Sequence, residues 1–104
     1  MQISTYAIRA EETAVYPAER KIVYPMFGLV GEVGEFCNKY KKIWRDGRPF
    51  PAPDQVSELG DMLWYWTMLC IDLKHDPTEV AVMNITKLRE RLVHGNIHGS
   101  GDHR

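Results

Sequence analysis

Disulfide chemistry has almost nothing to work with in this 104-residue chain, which holds two cysteines, Cys37 and Cys70. Both stand among apolar residues, so they read as reduced core residues of an intracellular protein. An excess of charge of either sign is missing too. Lys and Arg number 13 against 14 Asp and Glu, a formal net charge of −1. That balance removes the electrostatic footprint of a duplex nucleic-acid binder. No uncharged apolar run reaches the roughly 18 residues of a membrane span. The longest, Met62 to Ile71, reads as a buried helix segment, and Met1 to Glu12 lacks the apolar core of a signal peptide. The expectation is a cytoplasmic protein with no membrane partner. At 44% hydrophobic and 26% charged residues, residues 1–104 suit one domain with a real core.

Strand-like alternation is also lacking, and helical spacing fills its place. Ser4 is a candidate cap for a first helix running to about Val15 and ended by Tyr16-Pro17. A second helix takes Pro25 in its first turn, where a missing N–H costs nothing. Its apolar residues Phe27, Leu29, Val30, Val33, Phe36, Cys37, Tyr40 and Ile43/Trp44 recur at spacings of three and four. Arg45-Asp46-Gly47 ends it, and Pro49, Pro51 and Pro53 forbid helix in the next loop. A third helix is expected from Asp54, as N-cap, to Leu73. Asp76-Pro77-Thr78-Glu79 then spells a fourth helix start with a capping box, and Gly95 closes it after His94. Residues 96–104 form a polar tail. The fold class is a small all-α bundle of about four helices.

The second and third helices each carry two acids three residues apart, Glu32 with Glu35 and Glu58 with Asp61. Positions i and i+3 share a helix face, so each pair projects in one direction. Four carboxylates converging in apolar surroundings repel one another and are costly to desolvate. A hard divalent cation resolves that conflict, and an all-oxygen ligand set selects Mg²⁺ or Mn²⁺. One such pair alone is ordinary on a solvated helix face, so the residues by themselves leave both readings open. Gly34 and Gly60, poor helix formers beside the acids, are expected to mark close approach of a backbone or ligand. A di-iron carboxylate site is excluded, because no Glu-x-x-His occurs.

On the fourth helix Asn84, Lys87 and Arg91 share a face, with Val80, Met83, Leu88 and Leu92 available to pack inward. Lys39, Lys42 and Arg45 form a second basic set along the carboxylate face of the second helix. Cations opposite a carboxylate-held metal are the arrangement that binds a polyphosphate. Trp66 aligns with the core. Tyr65 lies toward Glu58 and Asp61, where it can line a pocket, and Trp64 faces elsewhere, toward another subunit or a nucleobase. His75, His94, His98 and His103 have no metal-ligand spacing and receive no role.

Taken together, these residues resemble a known family. Gly28-Leu29-Val30-Gly31-Glu32-Val33-Gly34-Glu35, Lys42, Arg45-Asp46-Gly47, Glu58-Leu59-Gly60-Asp61 with Leu63-Trp64-Tyr65, and Asn84-Ile85-x-Lys87-Leu88-x-x-Arg91 are similar to the MazG-like nucleotide pyrophosphohydrolases. The likeness runs from Tyr24 to the closing Gly99-Ser100-Gly101-Asp102-x-Arg104, and its identifying feature is two acidic motifs with 22 residues between them. The resemblance implies an all-α fold and Mg²⁺-dependent cleavage of nucleoside triphosphates to monophosphate and pyrophosphate, in nucleotide pool control or housecleaning. It implies Glu32, Glu35, Glu58 and Asp61 as metal ligands and catalytic acids. Asn84, Lys87 and Arg91 carry over as substrate contacts, and Lys42, Trp64 and Tyr65 complete the substrate-binding set. It further implies a homodimer or homotetramer whose pockets are completed by neighbouring chains.

The mechanism expected on that basis is metal-assisted hydrolysis of the α–β phosphoanhydride. Mg²⁺, or Mn²⁺ in its place, polarises phosphate oxygens, Glu35 or Glu32 takes the proton of the attacking water, and Lys87 and Arg91 stabilise the leaving pyrophosphate. Two alternatives stay open: hydrolysis of a special nucleotide such as dUTP or an alarmone, and a non-catalytic helical module that binds nucleotide or protein.

Overall fold

The structure, a computed structural model, describes residues 1–95. The tail 96–104, with the closing motif of the resemblance and with His98 and His103, lies outside the described residues. Among the described residues the elements are four α-helices and one 3₁₀ turn, with no strand. Helix α1 spans Ile3–Glu11, the 3₁₀ turn Ala18–Arg20, α2 Val23–Asp46, α3 Ala52–Asp72 and α4 Pro77–Val93. The all-α bundle expected from the spacing is therefore present. No described helix is long and apolar enough to cross a membrane.

The ends of the helices follow local chemistry, with corrections to the sequence reading. Ser4 does not cap α1; Gln2 holds that position without a side-chain bond, and the helix stops at Glu11. There Thr13 closes the end by donating from Oγ1 to the Ala10 carbonyl at 2.7 Å. Helix α3 starts at Ala52 with Pro51 as its N-cap, so Pro53 sits inside the first turn and not in the loop. Within the first turn an amide is unpaired in any case, so proline is tolerated there. Asp54 then lies in the first turn, where the helix dipole favours an acid. At α4, Asp76 is the N-cap as expected, its carboxylate accepting from the Thr78 amide at 2.9 Å. Gly47, at φ +67°, ends α2 in the left-handed conformation that glycine adopts without strain.

Helix α3 is the hub, packing against α2, α1 and α4. Its second half supplies the fully buried Thr67 and Met68 and the buried Cys70, and Pro25 of α2 is fully buried as well. Thr67 satisfies its hydroxyl by donating to the Leu63 carbonyl at 2.7 Å. The loop before α2 is tied down by Asp72 near the end of α3. Its Oδ2 accepts from the Tyr16 hydroxyl at 2.8 Å and from the Ile22 amide at 2.9 Å. Ile22 is held at φ +69° and ψ −58°, a γ-turn closed by the Val23 amide on the Lys21 carbonyl at 2.8 Å. A β-branched residue adopts that conformation only under constraint, and Asp72 supplies part of it.

Among the described residues, one half of α2 finds no cover. Gly28, Glu32, Phe36 and Lys39 meet α3 or the loop leading to it. The opposite face carries Phe27, Val30 and Trp44, which are 67%, 68% and 87% exposed. Cys37 is on that face and exposed, which corrects its reading as a core residue; Cys70 is buried as expected. Met83 and Leu92 of α4 are exposed as well, so they do not pack inward. The Cα radius of gyration, 16.6 Å, exceeds the ~13 Å of a compact 100-residue domain.

Candidate metal centre

Only the residues at 47–51 separate α2 from α3, so the two helices form an antiparallel hairpin that sets the acidic motifs side by side. Contact is close at one end. A β-carbon on Gly28 would overlap the ring of Tyr65. At the other end Phe36 meets Phe50 edge-on, with ring centroids 5.1 Å apart. Between these two contacts Glu32, Glu58 and Asp61 converge, each offering a carboxylate oxygen within 4.8 Å of the others. Glu58 is buried, Glu32 half-buried and Asp61 exposed, so the cluster has a closed floor and an open mouth. Glu35 is not part of this group of three. It reaches the cluster through Lys39, whose Nζ lies 3.6 Å from Glu35 Oε1 and 2.5 Å from Glu58 Oε1.

The electrostatics follow from that placement. Burial first, then a proton shared with Glu58 and the charges of Asp61, Glu58 and Glu35, push the Glu32 carboxyl up to about 7. Glu58 moves the other way, held below the ordinary carboxylate range by the Lys39 ammonium and then by Glu32. Lys39 is raised in return. The second oxygen of Glu58, Oε2, is buried and accepts no hydrogen bond once Glu32 is ionised. A buried carboxylate oxygen lacking a donor, beside two further carboxylates, fits a hard divalent cation. Three side-chain oxygens leave further positions of a six-coordinate ion for water or substrate.

The remaining candidate residues are distributed unevenly around this centre. Lys42 lies beside Lys39 in a cavity of about 190 Å³ also lined by Arg48, Pro49, Phe50 and Asp54. Arg48, passed over in the sequence because it stands among prolines outside any helix, joins that basic wall. Arg45 pairs with its neighbour Asp46 at 2.6 Å, and Arg48 Nε lies 3.7 Å from the same carboxylate oxygen. Tyr65 stands near the acids as expected, its hydroxyl pushed up by burial, by Tyr24 and by the charges of Glu32 and Asp61. Burial and the charge of Asp61 similarly raise Tyr6, which puts α1 against the site.

Trp64 is held by contacts within the chain. Its indole donates to Thr13 Oγ1 at 2.8 Å, and its ring meets Tyr16 and Tyr65 edge-on. Helix α4 packs on α1 and α3, with Asn84 exposed, Lys87 half-buried and Arg91 buried. Gly34 and Gly60 have open space beside them, so neither marks a close approach within the chain; Gly28 does.

No protein-family model matches the chain, and no solved structure does. The Gene 37 protein of Mycobacterium phage L5 is 39% identical to it over 114 aligned residues, with both chains covered from end to end. Identity at that level over the whole length of both chains places the protein in one family with the Gene 37 protein of Mycobacterium phage L5.

Proposed function

We propose that the protein is a Mg²⁺-dependent nucleoside triphosphate pyrophosphohydrolase, similar to the MazG-like enzymes, working in the cytoplasm on nucleotide pools. The observation that carries this reading is the convergence of Glu32, Glu58 and Asp61 within 4.8 Å beside the unsatisfied Oε2 of buried Glu58. Those three residues would hold the cation. When bound, it supplies Lewis-acid polarisation of phosphate oxygens. Glu35, outside the group of three and with its side chain 53% exposed, would accept the proton of an attacking water. Lys42 and Arg48 line a basic cavity beside the acids and suit the charge of a polyphosphate. Tyr65 offers a ring at the other end of the cluster. Asn84, Lys87 and Arg91 on α4 remain proposed substrate contacts, with Lys87 and Arg91 for the departing pyrophosphate.

The proposal includes self-association as a dimer, or as a tetramer built from dimers. Helix α2 meets α3 along one face and carries exposed Phe27, Val30 and Trp44 on the opposite one, and a contiguous exposed apolar face of this kind marks an interaction surface. The uncovered residues Phe27, Val30, Gly34, Cys37, Lys41 and Trp44 alternate at spacings of three and four, the seam of a helix pair. That seam is self-complementary. A two-fold axis between Glu35 and Phe36 sets Phe27 opposite Trp44, Val30 opposite Lys41 and Gly34 opposite Cys37 of a second copy. It also sets the acidic half of α2 along the basic half of its mate.

Phosphorus NMR of the protein mixed with a panel of nucleotides and Mg²⁺ tests the activity. Monophosphate and pyrophosphate in equal amounts, abolished by EDTA, are the expected products. A panel in which only dUTP or an alarmone is cleaved would narrow the substrate to a special nucleotide. Binding of nucleotide with no product from any of them would favour a non-catalytic module.

A further inference from the structure

Lys39 holds the place that a cation would take. Its ammonium sits 2.5 Å from Glu58 Oε1, on a carboxylate that is only 8% exposed and whose other oxygen lacks a donor. A divalent ion shared by Glu32, Glu58 and Asp61 meets that ammonium at close range, and two cations on one carboxylate repel. The lysine has somewhere to go. Its side chain is 40% exposed, its Nζ lies 6.0 Å from the centre of the Phe50 ring, and it lines the cavity that also holds Asp54. A short swing about its flexible stem takes the charge from Glu58 to the aromatic face and acidic edge of that cavity.

We infer that Lys39 is a built-in counter-cation, neutralising Glu58 while the centre is empty and yielding to the divalent ion by moving toward Phe50 and Asp54. This rests on the metal-site reading given under Proposed function. The ion pair stabilises the metal-free fold, because without it the buried Glu58 would face Glu32 and Asp61 without its ion-pair partner. The same ion pair opposes loading, because it must break before the ion can use Glu58. Lys39 is thus a positioning residue that sets the concentration of cation at which the centre fills.

The test is Mn²⁺ binding to the nucleotide-free chain, read from the EPR signal of free Mn²⁺, paired with melting temperatures without and with saturating Mn²⁺. The proteins are wild type, Lys39→Met, Lys39→Arg and Asp61→Asn. Lys39→Met is expected to bind Mn²⁺ at least tenfold more tightly than wild type, and Lys39→Arg to stay within threefold of it. Lys39→Met should melt below wild type without metal and level with it when saturated. A purely structural ion pair would lower the melting temperature equally in both conditions. If wild type binds Mn²⁺, Asp61→Asn does not, and Lys39→Met binds no more tightly than wild type, the counter-cation is wrong while the metal site stands. If wild type, Lys39→Met and Lys39→Arg all fail to bind, the metal site and the counter-cation fall together.

Discussion

Gly28 and Tyr65 are packed so closely that a single methyl group on the glycine would lie inside the tyrosine ring. This contact fixes how near α2 comes to α3, and so how near Glu32 comes to Glu58 and Asp61. Gly28→Ala is therefore expected to destabilise the fold by about 1–3 kcal/mol, the usual range for forcing a methylene into a packed contact. Gly60→Ala is its control. Open space surrounds Gly60, so the better helix propensity of alanine should stabilise by about 0.5–1 kcal/mol. Urea midpoints of the two variants check the contrast, and equal shifts in the same direction would remove Gly28 from its role.

Asp72 holds the segment before α2 through two bonds to one oxygen. Replacing it with alanine leaves the Tyr16 hydroxyl and the Ile22 amide without their acceptor, at an expected cost of about 1–3 kcal/mol. Tyr16→Phe loses only one of the two bonds and should cost less, about 1 kcal/mol. Hydrogen exchange at the Ile22 amide should accelerate in Asp72→Ala and stay slow in Tyr16→Phe. An unchanged rate in both would mean that Asp72 does not hold the turn.

Glu32 makes the metal-free protein sensitive to pH with a definite sign. Its carboxyl titrates at about 7 when folded, against an ordinary value of 4.5. Folded chains therefore keep a proton that unfolded chains have lost, and stability falls as pH rises through that window. The contribution is complete below about 4.5 and gone above about 7. Glu58 is depressed instead, so its contribution is lost at more acid pH, outside the window. Melting temperature without metal should decline from about pH 5 to pH 7.5, and Glu32→Gln should flatten the decline. Affinity for Mn²⁺ should rise across the same interval, because the proton must leave before the oxygen can bind. A flat wild-type profile would contradict the burial of Glu32 among acids.

The α2 seam makes a geometric prediction. With the two-fold axis between Glu35 and Phe36, Gly34 faces Cys37 of the second copy. Gly34→Cys should form an intermolecular disulfide under mild oxidation, seen as a dimer on a non-reducing gel. Adding Cys37→Ser should abolish it, and Cys70 is buried and takes no part. A chain that stays monomeric by light scattering, with no cross-link in Gly34→Cys, would place the exposed apolar face outside any pairing of α2 with itself.

Much of this architecture is legible in the order of the amino acids. The spacing of three and four, the Asp76-Pro77 start and the Arg45-Asp46-Gly47 stop locate the helices, because each depends only on residues within one turn. Helix starts next to proline are less legible. Pro53 reads as a breaker, yet within a first turn it removes no bond, and Asp54 is a first-turn acid and not the cap. The pairing of Glu32 with Glu58 and Asp61 follows from a common face on each helix of a hairpin. The placing of Glu35 does not, because it depends on which oxygen Lys39 reaches across the hairpin. Cys37 and Trp44 have the spacing of core residues and lie exposed, since periodicity reveals an apolar face but not what covers it. Arg48 escapes notice because no helical period marks a loop residue that packs beside a site.

The convergence of three carboxylates on one cation is the claim on which the chemistry depends, and anomalous scattering from crystals grown with Mn²⁺ tests it most directly. A manganese peak is expected within bonding distance of oxygens from Glu32, Glu58 and Asp61, lost in Asp61→Asn crystals. Well-ordered crystals in saturating Mn²⁺ with no peak among those oxygens, or with manganese bound only elsewhere, would contradict it.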